Sequence, residues 1–150
     1  MKNSTINKKE IEKFSRMAEE WWNPSGKFKP LHKFNPIRVA YIRDNIIKTL
    51  KLKDKNKPLE KIKILDIGCG GGRISAYFEH EGFHRTIALD YSMRSLEIVR
   101  EQVKAPVIRA NNLSLPFESR SVDVIISTGV IHHTPDPIKA LTENCRVLRE

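Results

Sequence analysis

An α/β fold built on a doubly wound parallel sheet is the architecture this sequence predicts, on three observations. The stretch Ile62-Lys63-Ile64-Leu65-Asp66-Ile67-Gly68-Cys69-Gly70-Gly71-Gly72 is an apolar run of strand length that reaches an acid and opens at once into glycines. A helical pattern, Ile74 to Glu81, follows it directly. Beyond that point strand-like and helix-like segments alternate, the last strand, Val122 to Thr128, being strongly apolar. Repeated strand–helix–strand units imply parallel strands with right-handed crossovers. Ligands in such sheets bind beyond the C-terminal strand ends.

The elements follow in order. Asn7-Lys8-Lys9-Glu10 reads as a capping box. Ile11, Phe14, Ala18 and Trp21 continue at helical spacing, and Asn23-Pro24-Ser25-Gly26 ends that helix. Lys27 to Phe34 reads as an aromatic, basic loop. Asn35-Pro36 restarts a helix with proline in its first position, and Ile37, Ala40, Tyr41, Ile47 and Leu50 form its apolar face. Lys51 to Lys61 is a polar linker without pattern. A helical cap and linker over 1–61 is thus expected to precede a sheet domain over 62–150. In the latter, Thr86 to Asp90 is a strand, and Ser92 caps a helix carrying Leu96, Val99 and Val103. Pro106 to Arg109 is a short strand, Leu113 to Ser121 a loop. Asp136-Pro137 caps a last helix with Ile138, Leu141, Cys145 and Leu148 on one face.

Composition narrows the setting. The chain has 150 residues and a formal net charge of +9, enough length for one domain with a real core. Residues 1–63 hold 17 Lys/Arg against 7 Asp/Glu, and residues 64–150 hold 10 against 11, so the basic character belongs to the front. A basic front suits an anionic membrane surface or nucleic acid, although solvated lysine accounts for Lys48 to Lys63. Two distant cysteines, Cys69 and Cys145, read as a reduced intracellular protein rather than a disulfide scaffold. No apolar run approaches the roughly 18 residues of a membrane span, and no signal peptide is visible. A cytoplasmic protein, with peripheral contact at the inner membrane face as an option, is the expectation.

The chemistry is expected at the glycine turn. Strand, glycine turn and helix put free N–H groups and a helix N-terminus beside a ligand. A dinucleotide fingerprint wants glycine in the first, third and sixth places, and here the sixth place is Arg73. No Gly-Lys-Ser/Thr follows, which excludes a P-loop. The remaining pattern, Asp-x-Gly-x-Gly-x-Gly over 66–72, resembles the first motif of class I S-adenosylmethionine (SAM) methyltransferases, which have a Rossmann-like fold. Gly68 and Gly70 would then face the donor. Asp66 would orient the turn, meet the ligand's ammonium group, or serve as a structural cap. Asp90 ends the second strand, where an acid accepts both ribose hydroxyls of a nucleoside; a helix cap is the alternative. Ala110-Asn111-Asn112-Leu113-Ser114-Leu115-Pro116-Phe117 resembles the Gly-Asp-Ala-x-x-Leu-Pro-Phe stretch of such enzymes, with Asn111 where their acid contacts the adenine amino group. A local asparagine turn is the competing reading of Asn111. Methyl transfer from a sulfonium needs a positioned acceptor and, for a hydroxyl, a base. His132-His133 leaves the fourth strand at the binding edge, and His133 is the chosen base.

The front half resembles a narrower family. Lys13-Phe14, Trp21-Trp22, Gly26-Lys27-Phe28-Lys29-Pro30-Leu31-His32 and Asn35-Pro36-Ile37-Arg38 are similar to the N-terminus of the ubiquinone-biosynthesis O-methyltransferases, which methylate catechol-type hydroxyls on polyprenylated rings. The resemblance implies that Arg38 meets the SAM carboxylate and that Thr128 ends the fourth strand at the donor. It implies a small-molecule, prenylated aromatic acceptor and an aromatic lid. That family also holds a divalent metal with Glu-x-x-Glu-His; this chain has Gly129, His132 and His133 there, so no metal site is expected. The family continues past Arg-Val-Leu-Arg into Pro-Gly-Gly and three more strands, whereas this sequence stops at Glu150. Four strands in spatial order 3-2-1-4 are therefore expected, truncated after the fourth. The apolar edge Val122 to Thr128 would be left for a partner chain. A non-catalytic remnant or one half of a split enzyme is the alternative. A tRNA methyltransferase comes last, because the basic residues lack a groove pattern.

Overall fold

A computed structural model describes residues 8–53, 56 and 58–150. Asn7, the expected capping residue, lies outside the described residues. The order is α1 (Lys8–Met17), a 3-10 turn (Ala18–Trp22), α2 (Lys29–Thr49), β1 (Lys63–Ile67), α3 (Arg73–His80), β2 (Arg85–Asp90), α4 (Met93–Gln102), β3 (Val107–Arg109), β4 (Val124–Ile126), a 3-10 turn (Ile131–His133) and α5 (Pro137–Val147). The four strands form one sheet in the order β3-β2-β1-β4. Every pairing is parallel, with Leu65 opposite Ile87 and Ile125, and Leu89 opposite Ile108. This is the doubly wound α/β sheet the alternating pattern predicts.

Alternation along β1 assigns its two faces. Ile64 packs with Phe78 and Phe83 beneath α3, and with Val39 and Ile46 of α2. Leu65 and Ile67 point to the other face, with Leu89, Leu115, Val122 and Val147. Both caps expected from sequence form: Ser92 Oγ accepts from the Ser95 N–H at 3.2 Å, and Asp136 Oδ1 from the Lys139 N–H at 2.9 Å.

Several details differ from the sequence expectations. The first helix pattern breaks in two, since Ala18 to Trp22 tightens into a 3-10 turn. The expected aromatic loop is largely helix: α2 starts at Lys29, because Pro30 supplies the first-turn proline and Pro36 falls inside. The buried face of α2 is Asn35, Val39 and Ile46, with Ile42 beside them, whereas Ile37 is 70 % exposed and Tyr41 and Leu50 face solvent. Apolar residues surround this helix, so its periodicity could not select a face. Lys51 then ends α2 with φ +50 while the Leu52 N–H bonds to the Ile47 carbonyl, and the nominal linker buries Leu59.

The outward face of α5 is a further correction. Ala140, Asn144 and Val147 are buried, while Ile138, Leu141 and Cys145 are exposed. Polar anchors turn the helix this way. Arg146 donates to the carbonyls of Phe117 (2.9 Å) and Leu115 (3.2 Å) and pairs with Glu143, which accepts the Leu115 N–H at 2.8 Å. Strand β4 is also shorter than Val122 to Thr128. Val122 is fully buried beside Val147 and Leu148, so the open edge narrows to half-buried Val124 and Ile125. Among the described residues, no helix is long and apolar enough to cross a membrane.

The inverted face of α2 is directly measurable by chemical denaturation. Ile46→Ala is expected to cost about 2–5 kcal/mol, the range for large-to-alanine changes in a core. Ile37→Ala is expected to stay within about ±0.5 kcal/mol. Equal losses would contradict the burial assigned to α2.

Candidate functional site

The glycine turn is held by the end of β2. The Leu89 carbonyl accepts both the Gly68 N–H (2.7 Å) and the Cys69 N–H (3.0 Å). Asp90 uses one carboxylate oxygen on the Gly70 N–H and the other on the Ser92 N–H, each at 2.9 Å. Gly68 and Gly70 have φ of +69 and +56, a region that disfavours side chains. A Cβ on Gly68 would collide with Val130, and one on Gly70 would lie 2.6 Å from Trp21. Protein side chains thus press directly against the turn.

The helices before β1 close over this turn. Trp22 Nε1 donates to the Gly71 carbonyl at 2.6 Å, and the Ser15 and Ser92 hydroxyls meet at 2.6 Å. Phe14 sits edge-on to the His133 ring, 4.8 Å between centroids. Beneath them lies a cavity of about 570 Å³, within the usual range for small-molecule sites, roughly 300–1,000 Å³. All eight residues singled out from sequence line it: Arg38, Asp66, Gly68, Gly70, Asp90, Asn111, Thr128 and His133. His132 is exposed and does not line the cavity, although its ring lies 4.0 Å from that of His133.

The buried acids are the electrostatic signature of the cavity. Asp66 accepts the Ser75 hydroxyl at 2.6 Å. Burial pushes its pKa up to about 6; the Ser75 hydrogen bond opposes that rise and the nearby Asp90 adds to it. Burial also raises Asp90, against the opposing N–H groups of Ser92 and Gly70. Desolvation lowers the Arg73 pKa, with the adjacent Arg38 acting in the same sense, so two arginines share one end of the cavity.

Some lining residues were not identified as functional from sequence. Asn35 counted only as a helix start within the resembling stretch, and Arg73 only as a departure from a glycine fingerprint. Asn112 stood unweighed beside Asn111. What these three share is unpaired polarity. Asn35 Oδ1, Arg73 Nη1 and both amide atoms of Asn112 are buried without a hydrogen-bond partner. Buried polar atoms are usually satisfied, so these mark where a polar ligand fits. Asn111 in contrast forms the local turn: its Oδ1 accepts the Leu113 N–H at 2.9 Å.

The comparisons agree with this geometry. The family described as "Methyltransferase domain" matches residues 65–150. The chain belongs to that family. It is 40% identical over 151 residues to the ubiquinone biosynthesis O-methyltransferase of Pelagibacter ubique (strain HTCC1062), covering 98% of this chain and 62% of that protein. The chain spans about three fifths of the length of the curated relatives it matches. A structure described as an S-adenosyl-L-methionine-dependent methyltransferase from Methanococcus maripaludis superposes with a TM-score of 0.66 at 20% identity, covering 100% of this chain and 64% of that one. The [4+2]-cyclase SpnF also superposes, with a TM-score of 0.59 at 18% identity, covering 73% and 41%. These structural likenesses establish the fold alone, since one fold carries several chemistries.

At the positions where the resemblance implies metal-binding carboxylates, this chain has Gly129 and His132, followed by His133. These residues do not suit a hard, oxygen-seeking ion. Among the described residues no three His, Cys, Asp or Glu side chains gather as a metal site.

The raised Asp66 gives a signed pH test. Its folded pKa of about 6 exceeds the reference 3.8, so the folded state holds this proton more tightly. Its contribution to stability is present below about pH 4 and is lost as pH rises through 6. Asp66→Asn keeps the acceptor for Ser75 and cannot ionise. Urea unfolding is expected to show this variant gaining on the parent between pH 4 and 7. A difference that stays flat across that window would contradict the buried, proton-retaining Asp66.

Proposed function

We propose that the chain forms the donor-binding part of a SAM-dependent O-methyltransferase of ubiquinone biosynthesis, acting on a catechol or quinol hydroxyl of a polyprenylated ring. The observation that carries this reading is the convergence of Arg38, Asp66, Gly68, Gly70, Asp90, Asn111, Thr128 and His133 on one cavity beyond the C-terminal ends of parallel strands. The names of the relatives supply the substrate class. SAM, when bound, supplies an electrophilic methyl on a sulfonium. Arg38 and Arg73 take its carboxylate, as guanidinium forks do, and Asp90 accepts the ribose hydroxyls. The N–H-rich turn at Gly68 to Gly72 and the first turn of α3 favour the polar tail. Thr128 borders the donor beyond β4. His133 accepts the proton of the acceptor hydroxyl, and Phe14 fixes its ring.

Residues 1–61 act as a cap over the donor, excluding water through Phe14, Trp21 and Trp22. The exposed stripe of Phe34, Ile37 and Tyr41 on α2, with Lys33 and Lys48 beside it, suits peripheral contact with an anionic membrane, where a prenylated acceptor resides. A second reading, a non-catalytic module or one part of a divided enzyme, draws on the edge position of β4. Its half-buried Val124 and Ile125 would receive further strands or a partner chain.

Isothermal titration of the folded chain with SAM and S-adenosylhomocysteine tests the primary reading. Both are expected to bind. Asp90→Ala is expected to weaken both by about 100-fold or more, as befits two charge-assisted hydrogen bonds of about 1.5–3 kcal/mol each. No heat from either nucleoside, with circular dichroism confirming the fold, would reject it.

A further inference from the structure

Two buried acids line this cavity without a paired cation. Asp66 is 2 % exposed, and alternation along β1 turns it to the Ile64 face, under α3. There one of its oxygens accepts the Ser75 hydroxyl at 2.6 Å. Asp90 ends the neighbouring strand, with its two oxygens on the Gly70 and Ser92 N–H groups. Among the described residues, neither acid forms an ion pair with a lysine, arginine or histidine. A buried carboxylate with no cation beside it is costly, and such a group keeps a proton instead.

The elements packed around Asp66 leave that charge to be settled by a proton or a ligand. Its partners across the sheet, Ala88 and Ile126, are uncharged. The Cys69 thiol in the turn is pushed up by burial and then by both carboxylates, so it stays neutral. Arg38 of α2, Arg73 of α3 and His133 of the second 3-10 turn line the same cavity. What sets Asp66, however, is burial first, then the opposing Ser75 hydrogen bond, then the charge of Asp90. The resulting value of about 6 lies close enough to neutrality for one nearby positive charge to empty the group.

We propose that the cavity takes its donor in exchange for a proton, the positive charge of the ligand's ammonium group replacing the proton that Asp66 holds in the free protein. This rests on the donor-binding role proposed above. The exchange balances: the Asp66 carboxyl loses its O–H proton to solvent, the ammonium supplies one positive charge in its place, and no bond of the ligand changes. Linkage is reciprocal, so proton and donor weaken each other equally. The sign follows. Below pH 6 the proton is held and the donor must displace it; well above pH 6 the carboxylate is already bare and binding is indifferent to pH. Asp66 thereby makes the site selective for a cationic amino-acid end and sensitive to acid.

Titration calorimetry with S-adenosylhomocysteine, run in pairs of buffers that differ in ionisation heat, counts the protons released. The parent is expected to release about half a proton at pH 6 and close to none at pH 7.5, and to bind about tenfold more weakly at pH 5 than at pH 7.5. Asp66→Asn, which keeps an acceptor for Ser75, is expected to release none and to bind with the same affinity at all three pH values. Ser75→Ala removes the bond that favours the carboxylate, so its release is expected to persist to higher pH; this variant serves if Asp66→Asn does not fold. S-adenosylhomocysteine lacking its amino group brings no cation and is expected to bind without release. The proposal is overturned if the parent releases nothing at pH 6, if release survives in Asp66→Asn and so belongs to another group such as His133, or if the ligand without the amino group releases as much. A folded parent that binds no ligand at pH 7.5 overturns the donor-site reading itself, a result distinguishable from these.

Discussion

The backbone exchange between the glycine turn and the last two residues of β2 holds the rest of the site in place. Two N–H groups of the turn converge on the Leu89 carbonyl and a third on the Asp90 carboxylate. This ties the exit of β1 to the exit of β2, so the positive-φ glycines are not loose. Because the Ser92 N–H takes the other oxygen of Asp90, the start of α4 belongs to the same unit. The acid expected to hold a ribose thus first holds the protein. Each carboxylate oxygen has a second acceptor site, so the two duties are compatible.

That unit concentrates negative charge where water is scarce. Asp66 and Asp90 are both raised by burial, and Asp90 further disfavours ionisation of Asp66. Arg73, which lines the same cavity, is pushed the opposite way, its pKa lowered by burial, and its guanidinium keeps one nitrogen unpaired. A zwitterionic ligand with ammonium and carboxylate groups offsets both. Strained electrostatics of this kind gather at functional sites and seldom in a structural core.

Much of this was legible in the chain itself, for physical reasons that can be named. Parallel strands buried on both faces read as near-continuous apolar runs, which is why β1 and β2 stood out, whereas the order β3-β2-β1-β4 was expected only from the family resemblance. Ser92 and Asp136 were recognisable because a cap is a local device that needs only its own helix. Failures occurred where tertiary contacts chose between two equal local options. Both faces of α2 are apolar, and only the sheet selects Val39 and Ile46 over Ile37 and Tyr41. In α5, the Glu143–Arg146 pair and its carbonyl partners in 115–117 outweighed the Ile138–Leu141 stripe. Unpaired polarity is likewise invisible in sequence: nothing local distinguishes Asn112 from Asn111 until the turn at Leu113 consumes one of them.

The same contacts that build the cavity also restrict it. Trp21 lies against Gly70 and Gly71, Trp22 holds the Gly71 carbonyl, and Phe14 covers His133. A donor and an acceptor must both reach a space walled by these rings. Among the described residues, the Ser15–Ser92 pair joins α1 to the start of α4, and Trp22 of the following 3-10 turn bonds to the Gly71 carbonyl. The turn itself cannot serve as the gate, because moving it would break three N–H contacts with β2 and expose two buried acids. The turn is thus tied to β2 by three N–H contacts, and the covering helices are tied to it by side-chain bonds from Ser15 and Trp22.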